Sequence, residues 1–256
     1  MKKKAKDETR TTMLSKTKSE VYQSTLLSSI SGVVHGYTDR ILGDMKKNPQ
    51  NRQKVLDGFF SEKVKLITAE QVHGGGVALV NDATVSYFPG VDGLVYKHKS
   101  GEVVALGVFV ADCVPMLLVD PKAEIIAAVH AGWKGTLLDI TSKTVCLMKS
   151  LGGLPRDIVA SIGPHIGMCC YDVGEERAKM FQKAFGNDRK IVSITERAWH
   201  LDLGMANRKQ LLDSGVLIEH IDAPPVCTSC LNNKFFSYRK DSSETFGEML
   251  GLIGYR

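Results

Sequence analysis

Three side chains of the types that bind metals or act as nucleophiles lie in apolar or glycine-bordered stretches of this 256-residue sequence. They are His73 in QVHGGGV, Cys113 in ADCVPMLLVD and His130 in AAVHAGW. A catalytic zinc takes three such protein ligands, keeps its fourth position for water or substrate, and lowers the pKa of a bound water to roughly 7. The set therefore predicts an open, reactive metal site.

Two other functions could use the same residues without a metal. In a cysteine hydrolase, Cys113 would be the nucleophile and His130 its general base. In a non-catalytic binding module, the thiol and the imidazoles would only stabilise a core. His73 separates the zinc hypothesis from the hydrolase, because a Cys/His dyad needs no second histidine.

A β-hairpin is expected to position Cys113 and His130. The sequence DPKA at residues 120–123 is typical of a type I turn, with Asp at the first position and Pro at the second. If Val119 and Glu124 close this loop, the flanking strands pair so that Cys113 lies opposite His130. Directly opposed residues have Cβ atoms roughly 4.5 to 5.5 Å apart, close enough to share one metal or one substrate.

Two arginines are candidate substrate-binding residues. Arg40 in HGYTDR and Arg239 in FFSYRK lie in predicted loops between apolar runs. A guanidinium presents a planar fork of donors that matches a phosphate, although each arginine could equally form a surface ion pair.

The remaining cysteine motifs have a weaker claim to chemistry. CTSC at residues 227–230 has the spacing of a zinc knuckle or a redox motif, and the adjacent Cys169 and Cys170 could in principle complete a four-thiolate site. Adjacent cysteines are poor partners in such a site, so we interpret these four as structural thiols. The HGGG at residues 73–76 mimics the oxyanion loop of lipases, but the sequence has no G-x-S-x-G, which excludes a serine hydrolase.

Composition indicates an ordinary globular protein, with 43% hydrophobic and 24% charged residues. The net charge of +5 is concentrated in residues 1–20, which hold seven Lys/Arg against three Asp/Glu, so residues 1–25 are predicted to form a basic, disordered tail rather than a nucleic-acid arm.

No apolar run reaches the length of a membrane span, and the N-terminal residues do not resemble a secretion signal. Six cysteines in a chain of this length favour reduced thiols and a cytoplasmic location.

Helix-like and strand-like segments alternate along the rest of the chain without a repeat or a linker. Residues 48–60 predict a helix with Asn48 as its N-cap, residues 64–131 are dominated by strands, and three further helical segments and a final strand follow. One mixed α/β domain is the simplest interpretation.

Eight motifs together resemble the YfiH family, also called the laccase-domain or polyphenol oxidase family. In chain order they are VVHGYTDR, AEQVHG, ADCVPMLLVDP, AAVHAGWKGTL, SIGPHIGMCCYDVGEE, WHLDL, CTSC and FFSYRKD. The resemblance implies an α+β fold for residues 26–256, a single layered domain with mixed β-sheets flanked by helices, likened to bacterial toxin cysteine hydrolases. It also implies one zinc held by His73, Cys113 and His130.

The chemistry implied by the resemblance is phosphorolysis of adenosine, inosine, guanosine and methylthioadenosine, and deamination of adenosine. The partners would then be purine nucleosides and phosphate. In phosphorolysis, Arg40 and Arg239 would hold the phosphate, while Asp112, beside the ligand cysteine, is a weak candidate for the acid in deamination. The sequence departs from the family pattern after Arg40, where DRILGD lacks the usual paired glycine, and at three further positions: Lys134, His165 and Glu248. With these departures, the resemblance does not fix the preferred substrate.

The oxidase name can be tested on the sequence. A multicopper oxidase needs about eight histidines, mostly in H-x-H pairs, around a trinuclear cluster. This chain has seven histidines and no H-x-H. A single His2Cys copper site for phenol oxidation remains the alternative to zinc.

Overall fold

The computed structural model describes residues 15–16, 21–196 and 198–256. Most of the predicted tail, residues 1–14 and 17–20, lies outside the described residues. Residues 21–25, which the sequence assigned to the end of that tail, belong to the packed structure. Val21 is buried in the core, and the Ser24 hydroxyl accepts a hydrogen bond from the Leu27 amide at the start of the first helix.

Sixteen strands lie in the described ranges. They are β1 Ser15–Lys16, β2 Tyr22–Gln23, β3 Val33–Tyr37, β4 Lys65–Ala69, β5 Val77–Val80, β6 Tyr87–Phe88, β7 Gly93–Lys97, β8 Val104–Val110, β9 Val114–Asp120, β10 Ile125–Ala131, β11 Val159–Ile162, β12 Asp172–Val173, β13 Val192–Ile194, β14 Trp199–Leu201, β15 Ile221–Asp222 and β16 Met249–Tyr255. They form a seven-stranded sheet of order β1-β2-β3-β16-β8-β4-β6, a six-stranded sheet of order β15-β11-β9-β10-β7-β5, and a small sheet of order β12-β14-β13. Both large sheets contain parallel and antiparallel pairs, as the mixed α+β prediction requires.

The helices flank these sheets. They are α1 Thr25–Ser28, α2 Pro49–Phe59, α3 Trp133–Leu137, α4 Ile140–Ser150, α5 Glu175–Phe185 and α6 Leu203–Asp213. The predicted cap of α2 is confirmed, because the Asn48 side chain accepts hydrogen bonds from the amides of Gln50 and Asn51 at 3.0 and 3.3 Å. None of the helices in the described ranges combines the length and apolar composition that a membrane span requires.

Side-chain alternation on the central strands builds two cores. On β9, Leu117 and Val119 face the seven-stranded sheet and pack with residues such as Leu106, whereas Met116 and Leu118 face the helices. Strands that are buried on both faces have continuous apolar sequences, which is the pattern of residues 104–110, 114–119 and 125–131. The fold is therefore a stack of two sheets, with α2 against the outer face of one and α4 to α6 against the other.

The predicted hairpin forms, but its predicted register is wrong. Asp120 pairs with Ile125, the loop is residues 121–124, and His130 lies opposite Pro115 rather than Cys113. The Asp120 carboxylate explains the shift, because its Oδ1 accepts hydrogen bonds from the amides of Lys122 and Ala123 while the residue itself stays in the strand. Cys113 consequently lies just before β9, outside the ladder.

Candidate active site

The structure brings His73, Cys113 and His130 together at one end of the two sheets. His73 lies in the loop between β4 and β5, Cys113 in the turn between β8 and β9, and His130 near the end of β10. Their ligand atoms all lie within 4.8 Å of one another. The rings of His73 and His130 meet edge to face, with centroids 4.7 Å apart. Since β8 and β9 belong to different sheets, the site forms where the chain crosses between them.

Unusual backbone conformations determine where the side chains of His73 and Cys113 point. His73 has φ 57°, and Asp112, which precedes Cys113, has φ 78°; both values lie in the left-handed region that costs energy for residues other than glycine. Gly132 supplies the necessary space, because a Cβ there would lie 3.2 Å from Cys113 Sγ and 3.4 Å from His73 Cδ2. These turns carry Cys113 back towards His130 although the two residues are not paired in the ladder.

A buried carboxylate that the sequence analysis missed organises the site. Asp92 is fully buried, and its Oδ1 lies 2.8 Å from His130 Nδ1. The amides of His73 and Gly74 donate to the same carboxylate at 2.9 and 2.7 Å, and the His130 amide donates to the Asp92 carbonyl at 2.8 Å. The carboxylate accepts a hydrogen bond from His130 Nδ1–H and so keeps that proton on Nδ1, which directs Nε2 to the site, where it can bind a metal or take up a proton.

Electrostatics in the metal-free site favour a thiolate beside an imidazolium. Burial alone would raise the pKa of Cys113, but His130 and, to a smaller extent, His73 lower it to about 6. Burial alone would lower the pKa of His130, but Cys113 and Asp92 raise it to about 9. The same anionic sulfur that these contacts stabilise is the form in which cysteine binds a cation.

The donor set and its spacing fit a zinc ion. In a tetrahedral zinc site with Zn–S of about 2.3 Å and Zn–N of about 2.0 Å, one sulfur and two nitrogens lie roughly 3.3 to 3.5 Å apart. The three ligand atoms lie within 4.8 Å of one another, which is compatible with that spacing. Asp92 on the outer nitrogen of His130 completes the carboxylate–histidine pairing that is usual at metal sites. Three protein ligands leave the remaining position on the side of the cavity that they line.

The three residues lie in the wall of a cavity of about 540 Å³, a volume in the range of small-molecule sites. Its other lining residues are Phe109, Ala111, Asp112, Trp133, Ile166, Tyr171, Arg177, Leu203, Tyr238, Arg239, Phe246 and Glu248. The wall therefore combines aromatic rings, which could contact a flat base, with two arginines and two carboxylates in addition to the Cys/His/His set.

Of the two predicted arginines, only Arg239 lines this cavity. Its guanidinium contacts Asp172 and lies 5.5 Å from the centre of the Tyr171 ring. Arg40 is not among the residues that line the cavity. Its guanidinium is already hydrogen-bonded, because Nη2 pairs with Asp241 at 3.1 Å and donates to Thr245 O, while Nη1 donates to Asn232 O. The predicted contact between Arg40 and phosphate therefore finds no support in the structure, because Arg40 does not line the cavity and its guanidinium is already paired.

Arg177 is the second cation of the cavity, and the sequence analysis did not single it out. Its guanidinium lies 4.2 Å from the centre of the Trp133 ring, and Nη1 lies 3.4 Å from the Tyr171 hydroxyl. Arg177 Nε is buried and has no hydrogen-bond partner among the described residues. Arg177 thus adds a second cation to the cavity wall, and one of its donors is not engaged by any described residue.

Asp112 does not have the freedom of a catalytic acid. Its Oδ1 accepts from Thr228 at 2.6 Å, and its Oδ2 accepts from the Ser237 hydroxyl at 3.0 Å and the Arg239 amide at 2.7 Å. With both oxygens engaged, Asp112 joins the Cys113 turn to the segment that carries Arg239.

The three single-residue departures from the family pattern lie at different distances from the cavity. Glu248 lines it and pairs with Lys46 at 3.0 Å. Lys134 lies 5.5 Å from the centre of the Trp133 ring, outside the cavity lining. His165 is buried, with Nδ1 2.8 Å from Gly163 O. Only Glu248 is placed to contact a substrate directly.

Comparisons with known proteins agree with the motifs. A family model described as multi-copper polyphenol oxidoreductase laccase matches residues 39–256. Purine nucleoside phosphorylase YlmD of Geobacillus stearothermophilus is 35% identical over 217 residues, covering 80% of this chain and 78% of the relative. Adenosine deaminase RL5 of an unknown prokaryotic organism is 36% identical over 195 residues, covering 71% of this chain and 73% of the relative.

Solved structures show the same fold. The crystal structure of YlmD from Geobacillus stearothermophilus superposes with a TM-score of 0.82 at 30% identity, over 95% of this chain and 99% of that one. The crystal structure of Bacillus licheniformis hypothetical protein YfiH gives 0.79 at 28% identity, over 93% and 97%. The layered α+β prediction is confirmed, and the chain is an enzyme that belongs to the multi-copper polyphenol oxidoreductase laccase family, the YfiH family indicated by its motifs.

Proposed function

We propose that this chain is a zinc-dependent purine nucleoside enzyme that catalyses phosphorolysis of adenosine, inosine, guanosine and methylthioadenosine, and deamination of adenosine. The observation that carries the proposal is the convergence of His73, Cys113 and His130 in the wall of a cavity of nucleoside-accommodating volume. Relatives named purine nucleoside phosphorylase and adenosine deaminase support the two reactions. The six cysteines are unpaired, which supports a reducing compartment such as the cytoplasm.

His73, Cys113 and His130 would hold the zinc. When bound, it supplies Lewis acidity, which makes a water more acidic and polarises a substrate atom. Asp92 keeps the Nδ1 proton on His130 and so keeps Nε2 directed at the site. The Gly132 backbone keeps the side chains of Cys113 and His73 close together.

The rest of the cavity would bind the nucleoside and the phosphate. Trp133 and Tyr171 offer ring faces to a purine, and buried aromatic pairs are worth about 0.5 to 1.5 kcal/mol beyond their area. We assign phosphate to Arg177 and Arg239, because both line the cavity and Arg177 Nε lacks a partner among the described residues. Phosphate held there would attack the ribose C1′, where positive charge develops as the glycosidic bond to the base breaks.

A metal-free cysteine hydrolase is the second candidate, and one observation favours it. The lowered pKa of Cys113 and the raised pKa of His130 describe the thiolate and imidazolium of a catalytic dyad. A copper-dependent phenol oxidase is the third, supported by the family description. The zinc hypothesis differs from the dyad in its need for His73, and from the oxidase in its metal and its substrates.

The test is a product-resolved screen of the purified protein combined with metal analysis. Adenosine, inosine, guanosine and methylthioadenosine are each incubated with and without phosphate, and the free base, the sugar 1-phosphate (methylthioribose 1-phosphate from methylthioadenosine) and inosine are quantified. The proposal predicts phosphate-dependent base release, phosphate-independent inosine formation from adenosine, and loss of both in His73→Ala. Retained turnover in His73→Ala would favour the dyad, and copper at full occupancy in protein never exposed to added copper would favour the oxidase.

A further inference from the structure

Four cysteines outside the candidate active site meet in one cluster. Cys169 and Cys170 lie in the loop before β12, and Cys227 and Cys230 lie in the segment after β15. The four Sγ atoms all lie within 4.8 Å of one another, with Cys230 Sγ 3.5 Å from that of Cys169 and 3.3 Å from that of Cys170. The structure thus brings together the two motifs whose four-thiolate combination the sequence made unfavourable because Cys169 and Cys170 are adjacent.

The local backbone explains how adjacent cysteines can point to one place. The amides of Cys170 and Tyr171 both donate to Gly167 O, at 3.0 and 3.1 Å, so residues 167–171 form a tight turn. In such a turn consecutive side chains diverge by about 100°, whereas on an extended strand they point to opposite faces. Adjacent cysteines such as Cys169 and Cys170 are poor partners in a metal site when they lie on a strand, but in this turn both side chains can reach the same ion.

The opposite side of the cluster has a backbone suited to a thiolate. Cys227 Sγ accepts hydrogen bonds from the amides of Gly167 at 3.3 Å and Cys230 at 3.5 Å. The two segments are also joined directly, because the His165 amide donates to Val226 O at 3.2 Å and the Thr228 amide donates to His165 O at 3.0 Å. Backbone amides directed at sulfur stabilise its anionic, metal-binding form.

We propose that Cys169, Cys170, Cys227 and Cys230 bind a second zinc ion as a closed, structural tetrathiolate site. With Zn–S of about 2.3 Å, tetrahedral geometry places the sulfur atoms about 3.8 Å apart, which lies between the shortest separation and the upper limit of this cluster. Four protein ligands leave no position for substrate, so the site stabilises structure and takes no part in turnover.

The site would join two chain segments that both contribute to the wall of the catalytic cavity. The segment with Cys169 and Cys170 also carries Ile166 and Tyr171, which line the cavity, and the chain after Cys230 leads to Arg239, which lines it beside Tyr171. Arg239 Nη1 already donates to Cys170 O at 3.5 Å. Loss of the second zinc should therefore loosen the cavity wall without removing the ligands of the first.

Zinc stoichiometry of the full-length protein tests the proposal. We expect about two zinc ions per chain in the parent, about one in Cys227→Ser/Cys230→Ser, about one in Cys113→Ser, and about two in the control Cys146→Ser, whose thiol is exposed on α4. Cobalt(II) substitution provides a second measurement, because intense thiolate-to-cobalt absorption should persist in Cys113→Ser and be largely lost in the double variant.

If the double variant fails to fold, measurements on the parent protein and on Cys113→Ser still test the proposal. A single zinc in the parent that disappears in Cys113→Ser would overturn the second site. So would one equivalent of iron in place of the second zinc, or a disulfide between Cys230 and Cys169 or Cys170 found by mass spectrometry in freshly purified protein. None of these outcomes depends on nucleoside turnover, so failure of this inference is distinguishable from failure of the proposed function.

Discussion

Asp92→Asn tests how the first zinc site is held. The Asp92 carboxylate accepts from His130 Nδ1 and from the amides of His73 and Gly74. An asparagine of the same size has only one acceptor oxygen, so its NH2 group must face at least one of these three donors. Hydrogen bonds to charged groups are worth about 1.5 to 3 kcal/mol, and each 1.4 kcal/mol is a factor of ten.

We therefore expect Asp92→Asn to weaken zinc binding by roughly 10- to 100-fold, the range seen when such outer partners are removed. Zinc affinity is measured by competition with a chelator, and kcat/KM for adenosine and inosine should fall with it at limiting zinc. The matched control is Asp82→Asn, an exposed aspartate outside the cavity lining whose Oδ1 accepts a hydrogen bond from the amide of Thr84. Zinc affinity within about threefold of the parent in Asp92→Asn would refute the role of this carboxylate.

Four further predictions concern Cys113, Gly132 and Arg177 at the candidate active site and Arg40, which lies outside the cavity lining. In metal-free protein, alkylation of Cys113 followed by peptide mass analysis should show a midpoint near pH 6, because His130 stabilises the thiolate; a midpoint near 9 would contradict this. Gly132→Ala should weaken zinc binding by about 10-fold without unfolding the protein, since its Cβ crowds Cys113 Sγ, and unchanged affinity would show that the pocket can relax. Arg177→Ala should raise the KM for phosphate by roughly 10- to 100-fold while adenosine deamination changes much less. Arg40→Ala should instead lower thermal stability through loss of its contact with Asp241, and a larger effect on phosphate KM for Arg40 than for Arg177 would reverse this assignment.

Local sequence was sufficient to predict the elements and the types of ligand, but not their register. The β9–β10 hairpin follows from two apolar runs and one turn motif, which is local information. Its exact pairing depends on whether Asp120 ends the strand or begins the turn, and the side-chain bonds to Lys122 and Ala123 decide this only in the folded loop. Cys113 reaches His130 through the left-handed backbone of Asp112, which no strand periodicity could have indicated.

Residues whose role depends on distant partners were the ones that the sequence left unassigned or placed wrongly. Asp92 is 38 residues from His130, and the clue was a carboxylate at the entry of the buried strand β7. Arg40 looked free for phosphate because its partner Asp241 is 201 residues away. The cysteines at residues 169–170 and 227–230 were interpreted as structural thiols because the turn that lets the adjacent pair converge on the distant pair forms only in the folded chain. Long-range pairing, rather than residue type, was the missing information in each case.

Zinc content and turnover of Cys113→Ser, measured on the same preparation, test the central claim most directly. Serine is nearly isosteric with cysteine, but its hydroxyl stays protonated and binds zinc poorly. We predict that the variant stays folded, loses one zinc equivalent, and loses phosphorolysis and deamination together. A serine variant that lacks this zinc yet converts adenosine or inosine at the parent rate would contradict the account.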